Sequence, residues 1–140
     1  MVSASIPSLD AILKAQAARK PDAVALVDPA DCERVTGQPP RRFTYAQADR
    51  AVSAIAARLQ EIGLPSGTVV GVQMPNVASG VLALLGIMRA GMTAAPLPLL
   101  WRLSDSVAAL SDSGARALVT CGRLRAVSDP RCVRLWLRRD

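Results

Sequence analysis

The chain has 140 residues, of which 51% are hydrophobic and 20% charged, so it is long enough for one domain and too apolar for a disordered chain. It contains no histidine, and this disfavours most hydrolytic and metal chemistry, because histidine is the usual base near neutral pH and the commonest metal ligand. The net charge of +6 would suit a nucleic acid or an anionic membrane, but residues 122–140 alone hold six arginines against two aspartates, so most of the excess lies in the tail.

The first elements along the chain are a short helix and two short strands. Ser8 precedes apolar residues at helical spacing and predicts an N-capped helix that is stopped by Pro21. Residues 23–27 form an apolar run typical of a strand. Residues 28–40 contain proline, glycine and mixed charge and predict a loop, and residues 41–44 predict a brief strand.

The next helix has the clearest signal in the sequence. Thr44 is followed three residues later by Gln47, the spacing of a capping box, and the helical apolar stripe that follows ends at Gly63. Residues 68–73 are rich in valine with little polar alternation, so they predict a buried strand.

The same order of elements then repeats. Asn76 is placed to cap a second apolar helix, which Gly91 ends before a short strand at residues 93–97. Ser104 is placed to cap a further helix, and residues 116–121 predict the last strand.

Alternating strands and helices predict an α/β fold with a parallel sheet over residues 23–121, because parallel strands need crossover connections. An all-helical fold is the alternative. The predicted core contains Val52, Ile55, Leu59, Val69, Val70, Val81, Leu84, Leu85 and Val119.

The cysteines and the apolar segments indicate the cellular setting. Cys32, Cys121 and Cys132 form no CxxC pair, so neither a disulfide framework nor a zinc site is expected, and a reducing cytoplasm fits. The N-terminus lacks the pattern of a secretory signal. Arg89 and two prolines interrupt the apolar segment at residues 77–101, so we expect no membrane span.

Ligands of parallel α/β sheets bind beyond the carboxyl ends of the strands, which here are residues 74–76, residues 96–100 and the chain from Cys121 onward. Neither GxGxxG nor GxxxxGK[ST] occurs there. Asn76 could bind a ligand, although a helix cap is the simpler role. Cys121 could be a nucleophile, but the chain has no histidine to activate it, and a buried thiol is the simpler interpretation.

Two further side chains could contact a ligand. The hydroxyl of Tyr45 could orient a substrate, or its ring could simply pack at a helix start. Arg102 could grip a carboxylate or phosphate, or could cover apolar surface with its stem. Neither signal is specific, so the sequence assigns no catalytic, cofactor-binding or metal-binding residue.

The order of three longer phrases resembles the N-terminal part of the AMP-forming adenylating superfamily, which includes acyl-CoA synthetases. These phrases are PDAVALVD, RRFTYAQADRAVSAIAARLQEIGLPSGTVVGVQMPN and SGVLALLGIMRAGMTAAPLPLLWRLSDSVAALSDSGARALVT. The positions that match the family pattern are residues 43–45, Gly67, residues 69–72, Asn76, residues 90–91 and Pro96. Thr68 and Ala48 depart from it, since the family usually has Asp and Leu there.

The resemblance implies an ATP-dependent ligase that converts a carboxylic acid to an acyl-adenylate and then to a thioester. ATP, Mg²⁺ and CoA are implied for the complete family member, but the lysine-containing phosphate loop is missing here, so no cofactor is expected to bind this chain alone. Residues 1–121 would be an incomplete N-terminal portion of the synthetase fold, with exposed apolar surface. Its expected partner is the remainder of the synthetase or a full-length relative. No nucleic-acid partner is expected. The alternative is a non-catalytic binding or oligomerisation module.

Residues 122–140 differ from the rest of the chain, because the aliphatic periodicity stops and arginines cluster. We expect this segment to be a disordered or non-native tail, such as a shifted reading frame would produce. The alternative is a basic arm that binds an anionic surface.

Overall fold

A computed structural model describes residues 7–121 and, for the backbone alone, a strand at residues 134–137. Within these residues the chain forms five helices and six strands. In chain order they are α1 (Leu9–Arg19), β1 (Val24–Val27), α2 (Cys32–Thr36), β2 (Arg42–Thr44), α3 (Tyr45–Glu61), β3 (Val69–Gln73), α4 (Ala78–Arg89), β4 (Thr93–Pro96), α5 (Leu103–Asp112), β5 (Ala117–Thr120) and β6 (Arg134–Leu137).

The main sheet has the strand order β4-β3-β5-β6. β3 lies between β4 and β5 and is parallel to both, and β6 pairs antiparallel with β5. The helices α4 and α5 provide the crossover connections that parallel neighbours require. This arrangement confirms the predicted α/β fold with a parallel sheet.

The first two strands do not join that sheet, which corrects the prediction of one parallel layer from residue 23. β1 and β2 form a separate antiparallel ribbon, in which Val27 is opposite Arg42. The loop predicted at residues 28–40 turns the chain back on itself and contains the short helix α2. A connection that reverses the chain in this way pairs its flanking strands antiparallel.

Two of the predicted helix caps are confirmed. The Ser8 hydroxyl accepts a hydrogen bond from the Ala11 backbone N–H at 3.1 Å. At the start of α3, the Thr44 hydroxyl accepts from the Gln47 N–H at 3.2 Å and the Gln47 side chain accepts from the Thr44 N–H at 2.9 Å. This reciprocal capping box satisfies two N–H groups that the helix itself leaves unpaired.

The other two predicted caps are wrong. Asn76 is exposed, α4 begins one residue later with Val77 as its N-cap residue, and Val77 has no polar side chain to donate or accept. Ser104 lies inside the first turn of α5, whose N-cap residue is Arg102. For α4 and α5, therefore, the nearby asparagine or serine did not mark the residue at which the helix begins.

The core is built from small and medium aliphatic side chains in two adjoining clusters. One cluster joins α3 and α4 to the parallel sheet, and the other joins α1, α3 and α4 to the β1–β2 ribbon. Of the nine predicted core residues, Val52, Leu59, Val70 and Val119 are buried, whereas Val81 is 37% exposed and was assigned wrongly. The remaining four are half-buried.

The tail predicted at residues 122–140 falls largely outside the described residues, which end at residue 121 and resume only for β6. The backbone of β6 is opposite β5, with residue 134 paired with Thr120 and residue 137 with Ala117. Within the described residues, no helix has the length and apolar character needed to cross a bilayer.

Candidate functional site

The carboxyl ends of the three parallel strands lie side by side at one edge of the main sheet. Gln73 ends β3 opposite Thr120 of β5, and Pro96 ends β4 beside Val72. This is the edge at which open α/β sheets bind their ligands. The segments predicted from the sequence, residues 74–76, residues 96–100 and Cys121, follow these strand ends.

A buried amide organises this edge. Gln73 is 5% exposed, and its side-chain N–H₂ donates to the Pro98 carbonyl at 3.0 Å and to the Ser106 hydroxyl at 3.1 Å. These two bonds attach the loop after β4 and the helix α5 to the end of β3. Sequence reasoning missed Gln73, although a polar residue at the end of an otherwise apolar strand was a usable signal.

Next to Gln73, the Thr120 hydroxyl is buried and has no hydrogen-bond partner within the described part of the chain. Cys121, the predicted candidate nucleophile, follows it as a half-buried free thiol. The sequence provides no histidine to deprotonate that thiol. Within the described residues, this edge thus brings together the Gln73 amide, the Thr120 hydroxyl and the Cys121 thiol.

Of the other candidate residues, Asn76 and Arg102 lie in the segments that follow β3 and β4, and both are exposed. Tyr45 lies at the start of α3, half-buried, with the Lys20 ammonium 5.2 Å from its ring centroid. That contact fits the simpler of the two interpretations of Tyr45, a ring that packs at a helix start.

The first turn of α4 is capped by Asp28, which the sequence did not reveal. This carboxylate directly follows β1 and is 4% exposed. One of its oxygens accepts from the Ala78 N–H at 2.7 Å and the other accepts from the Arg41 N–H at 3.0 Å. A side chain distant in sequence thus satisfies the first turn of α4, where a negative charge is also favoured by the helix dipole.

A second buried charge network joins three helices. Arg89, in the last turn of α4, donates to Asp10 of α1 at 2.5 Å and to the Asp49 carboxylate of α3 at 2.6 Å. It also donates to the Asp49 carbonyl at 2.9 Å and to the Ser53 hydroxyl at 2.7 Å. Every contact is made to a helix, so the role of Arg89 is to hold α1, α3 and α4 together.

The network changes the proton affinity of its members. Burial alone would raise the pKa of Asp10, but hydrogen bonds from Lys14 and Arg89 and their positive charges outweigh burial and lower that pKa below 3.8. Burial alone would lower the pKa of Arg89, and the two aspartates raise it instead. Both groups are therefore charged at neutral pH.

The described residues contain no cluster of three side chains that could hold a metal ion. The only lysines in the sequence are Lys14, which pairs with Asp10 at 3.0 Å, and Lys20, which lies over Tyr45. No lysine is thus placed at the carboxyl edge of the sheet, where it could neutralise phosphate charge.

Comparison with known proteins identifies the family of this chain. The family model of AMP-binding enzymes matches residues 13–136. The chain belongs to the AMP-binding enzyme family. The sequence resemblance to the N-terminal part of AMP-forming synthetases is thereby confirmed.

Two of the relatives that the chain matches are a nonribosomal synthetase and a fatty acid transport protein. The beauvericin nonribosomal cyclodepsipeptide synthetase of Beauveria bassiana is 30% identical over 122 residues, which is 87% of this chain and 4% of that protein. Human long-chain fatty acid transport protein 1 is 33% identical over 115 residues, which is 82% of this chain and 17% of that protein.

Among solved structures, the chain matches the N-terminal subdomain of NpsA from Klebsiella oxytoca, which was determined in complex with anthranilyl-AMSN. The TM-score is 0.69 at 26% identity, over 83% of this chain and 28% of that subdomain. The fold described above is therefore that of the first part of an adenylate-forming N-terminal domain. The chain spans 4% and 17% of the two relatives above and 28% of this subdomain.

Proposed function

We propose that this AMP-binding chain is the front part of an AMP-forming ligase that activates a carboxylic acid, and that by itself it is inactive. One observation carries the proposal: the family match extends over most of the chain, yet the chain covers 28% of the related NpsA subdomain and has no lysine after Lys20. The chain thus corresponds to part of the related subdomain, and neither of its two lysines lies at the carboxyl edge of the sheet.

The chemistry of adenylation explains why the missing parts matter. A carboxylate oxygen attacks the α-phosphorus of ATP, the acyl-adenylate forms, and pyrophosphate leaves. The charge on the phosphate oxygens has to be balanced by Mg²⁺, lysine or arginine side chains, or oriented N–H groups. The carboxyl edge of this sheet offers the Gln73 amide, already bonded to Pro98 and Ser106, and the Thr120 hydroxyl.

We propose that the sheet edge instead supports a neighbouring segment of the ligase. The Gln73 bonds fix the loop after β4 and the start of α5 in position. Large apolar side chains project from this same loop and helix, with Leu100 93%, Leu103 80% and Val107 55% exposed. An exposed apolar group of this kind marks a surface that another part of a protein covers.

Transfer of the acyl group to CoA is the finer form of the proposal. The match to human long-chain fatty acid transport protein 1 supports an acyl substrate, whereas the match to a nonribosomal synthetase supports a substrate activated on a peptide assembly enzyme. These two substrate classes are separated by assaying this chain together with the missing remainder of the ligase. A panel of carboxylic acids is offered with CoA present or absent, and the acids that are activated are identified.

The proposal is tested by the carboxylate-dependent exchange of labelled pyrophosphate into ATP. The purified 140-residue chain should give no exchange above a protein-free blank with fatty, aromatic or amino acids, because it has no lysine after Lys20 and covers 28% of the related NpsA subdomain. Exchange by the chain alone that depends on the added acid refutes the proposal.

The exposed apolar surface favours a second candidate function, a binding module that completes a separately encoded remainder. Mixing the chain with a relative that lacks the corresponding N-terminal segment should then produce a complex and restore exchange. A complex without activity would favour a purely non-catalytic module, and the absence of any complex would argue against both forms of complementation.

A further inference from the structure

A basic depression lies between β2 and the first turns of α3, and none of its residues belongs to the main sheet. Its volume is about 390 Å³ and it opens to solvent. The residues that line it are Arg41, Arg42, Phe43, Gln47 and Arg50. Three guanidinium groups and no carboxylate therefore share one surface feature.

Arg41 is held in place by the protein itself. Its side chain donates to the Ser79 hydroxyl at 2.6 Å, lies 3.7 Å from the Asp28 carboxylate, and places its guanidinium 5.2 Å from the Phe43 ring centroid. Asp28 partly neutralises this arginine, and the contacts join β2 to α4. Arg41 thus builds one wall of the depression.

Arg42 and Arg50 are different, because neither side chain has a hydrogen bond or ion pair within the described residues. Both are exposed, and Arg50 lies three residues after Gln47, on the same face of α3. The nearby N–H groups at the start of α3 are already used, since the Gln47 N–H bonds to Thr44 and the Tyr45 N–H bonds to the Ala23 carbonyl. A ligand here would be recognised by the two guanidinium groups.

We propose that this depression binds a carboxylate-rich segment of a partner protein. A guanidinium presents a planar pair of donors that matches a carboxylate, and two of them without a counterion favour a ligand with several negative charges. The depression is open, so it suits side chains that extend from a protein segment better than a small anion that must be enclosed.

The test is binding of the full chain to a fluorescently labelled peptide of about a dozen glutamates, followed by anisotropy at low and physiological salt. We expect Arg42→Glu and Arg50→Glu each to weaken binding by about fivefold or more, since each reverses a charge that faces the ligand. Arg58→Glu is the matched control. Arg58 is exposed on the same helix outside the depression, so the same change in net charge should alter affinity less than about twofold.

Equal weakening by all three substitutions would overturn the proposal, because it would mean a general attraction to the basic chain, including its tail. Tighter binding of inorganic phosphate or of phosphatidylserine vesicles, with the same dependence on Arg42 and Arg50, would also overturn it by assigning the site to another ligand. Circular dichroism checks that the variants keep their helices. Arg42→Gln and Arg50→Gln remove a charge without reversing it. Each should therefore weaken peptide binding less than the corresponding substitution by glutamate.

Discussion

Asp28 shows how one carboxylate can connect three parts of this fold. It follows β1 and accepts a hydrogen bond from the backbone N–H of Arg41, just before β2. It also caps α4 by accepting a hydrogen bond from the Ala78 N–H. Because Asp28 is almost fully buried, its charge is acceptable only while those donors remain in place. Removing the carboxylate therefore leaves two N–H groups unsatisfied.

We expect Asp28→Ala to lower the free energy of unfolding by about 3 kcal/mol, since it removes a helix cap and a buried charge-assisted bond together. Asp31→Ala is the control, because Asp31 makes an exposed ion pair with Arg34 and should cost less than about 1 kcal/mol. Urea denaturation followed by circular dichroism measures both. A loss at Asp28 no larger than that at Asp31 would contradict the capping role.

The Arg89 network predicts a loss of stability in acid. The pKa of Asp10 is lower in the folded chain than the ordinary value of 3.8, so the unfolded chain binds this proton more readily. The contribution of Asp10 is thus fully present above about pH 5 and is lost as the pH falls through the folded-state pKa. The urea midpoint should therefore drop between about pH 5 and pH 3.

Asp10→Asn tests the assignment of that drop. The variant should be less stable at neutral pH and should show a shallower decline in acid, because the titrating group is gone. Asp31→Asn, at an exposed position, is the control for the loss of one carboxylate. An acid decline in Asp10→Asn as steep as in the parent would assign the effect to other carboxylates.

At the scale of elements, the packing of α3 against α4 depends on a glycine. A Cβ placed on Gly86 would lie 2.5 Å from the Ile55 Cγ2 atom and 2.7 Å from its Cβ, far closer than carbon atoms approach. Glycine in mid-helix costs about 1 kcal/mol relative to alanine, so its presence here reflects the close approach of the two helices.

Gly86→Ala should accordingly lower stability by about 2 kcal/mol despite the better helix propensity of alanine. Gly80→Ala in the same helix is the matched control, because its nearest contact would be the Pro75 carbonyl at 3.1 Å and the change should lie within about 1 kcal/mol of zero. Thermal denaturation compares the two. A stabilised Gly86→Ala chain would show that the helices can separate freely.

The elements also show what the sequence could and could not predict. Helical periodicity and the Thr44–Gln47 spacing located α3, and the valine run located β3, because both signals are local. The cap of α4 was missed because its donor and acceptor are 50 residues apart. The separate β1–β2 ribbon was missed for a similar reason, since a short apolar strand does not reveal its partner.

The sequence predicted where the candidate site lies, but not which side chains contact one another in it. The prediction of a parallel sheet placed candidate segments after β3, β4 and β5, and the structure has these strand ends side by side. The Gln73 bonds to Pro98 and Ser106 depend on tertiary contacts between distant segments. The basic depression likewise depends on how β2 meets α3, which residue types alone do not show.

At the scale of the molecule, the apolar side chains on the loop before α5 and on α5 itself predict self-association. Leu100 and Leu103 are the most exposed of them. We expect Leu100→Ser with Leu103→Ser to increase the monomer fraction in sedimentation without lowering the urea midpoint, because neither side chain is packed in the core. Leu9→Ser, at an exposed leucine on α1, away from this loop and helix, is the control. A parent chain that is a clean monomer with a sharp cooperative melt would contradict this expectation.

We propose that this chain is the front of an AMP-forming ligase whose phosphate-binding loop is encoded outside it. The DNA that follows codon 121 tests this most directly when it is read in the two other forward frames. We expect one of them soon to resume the family pattern and, further on, to encode a Ser/Thr/Gly-rich loop followed by a lysine. If no frame encodes such a loop, the claim is contradicted, and a dedicated small protein with a basic C-terminal arm becomes the better explanation.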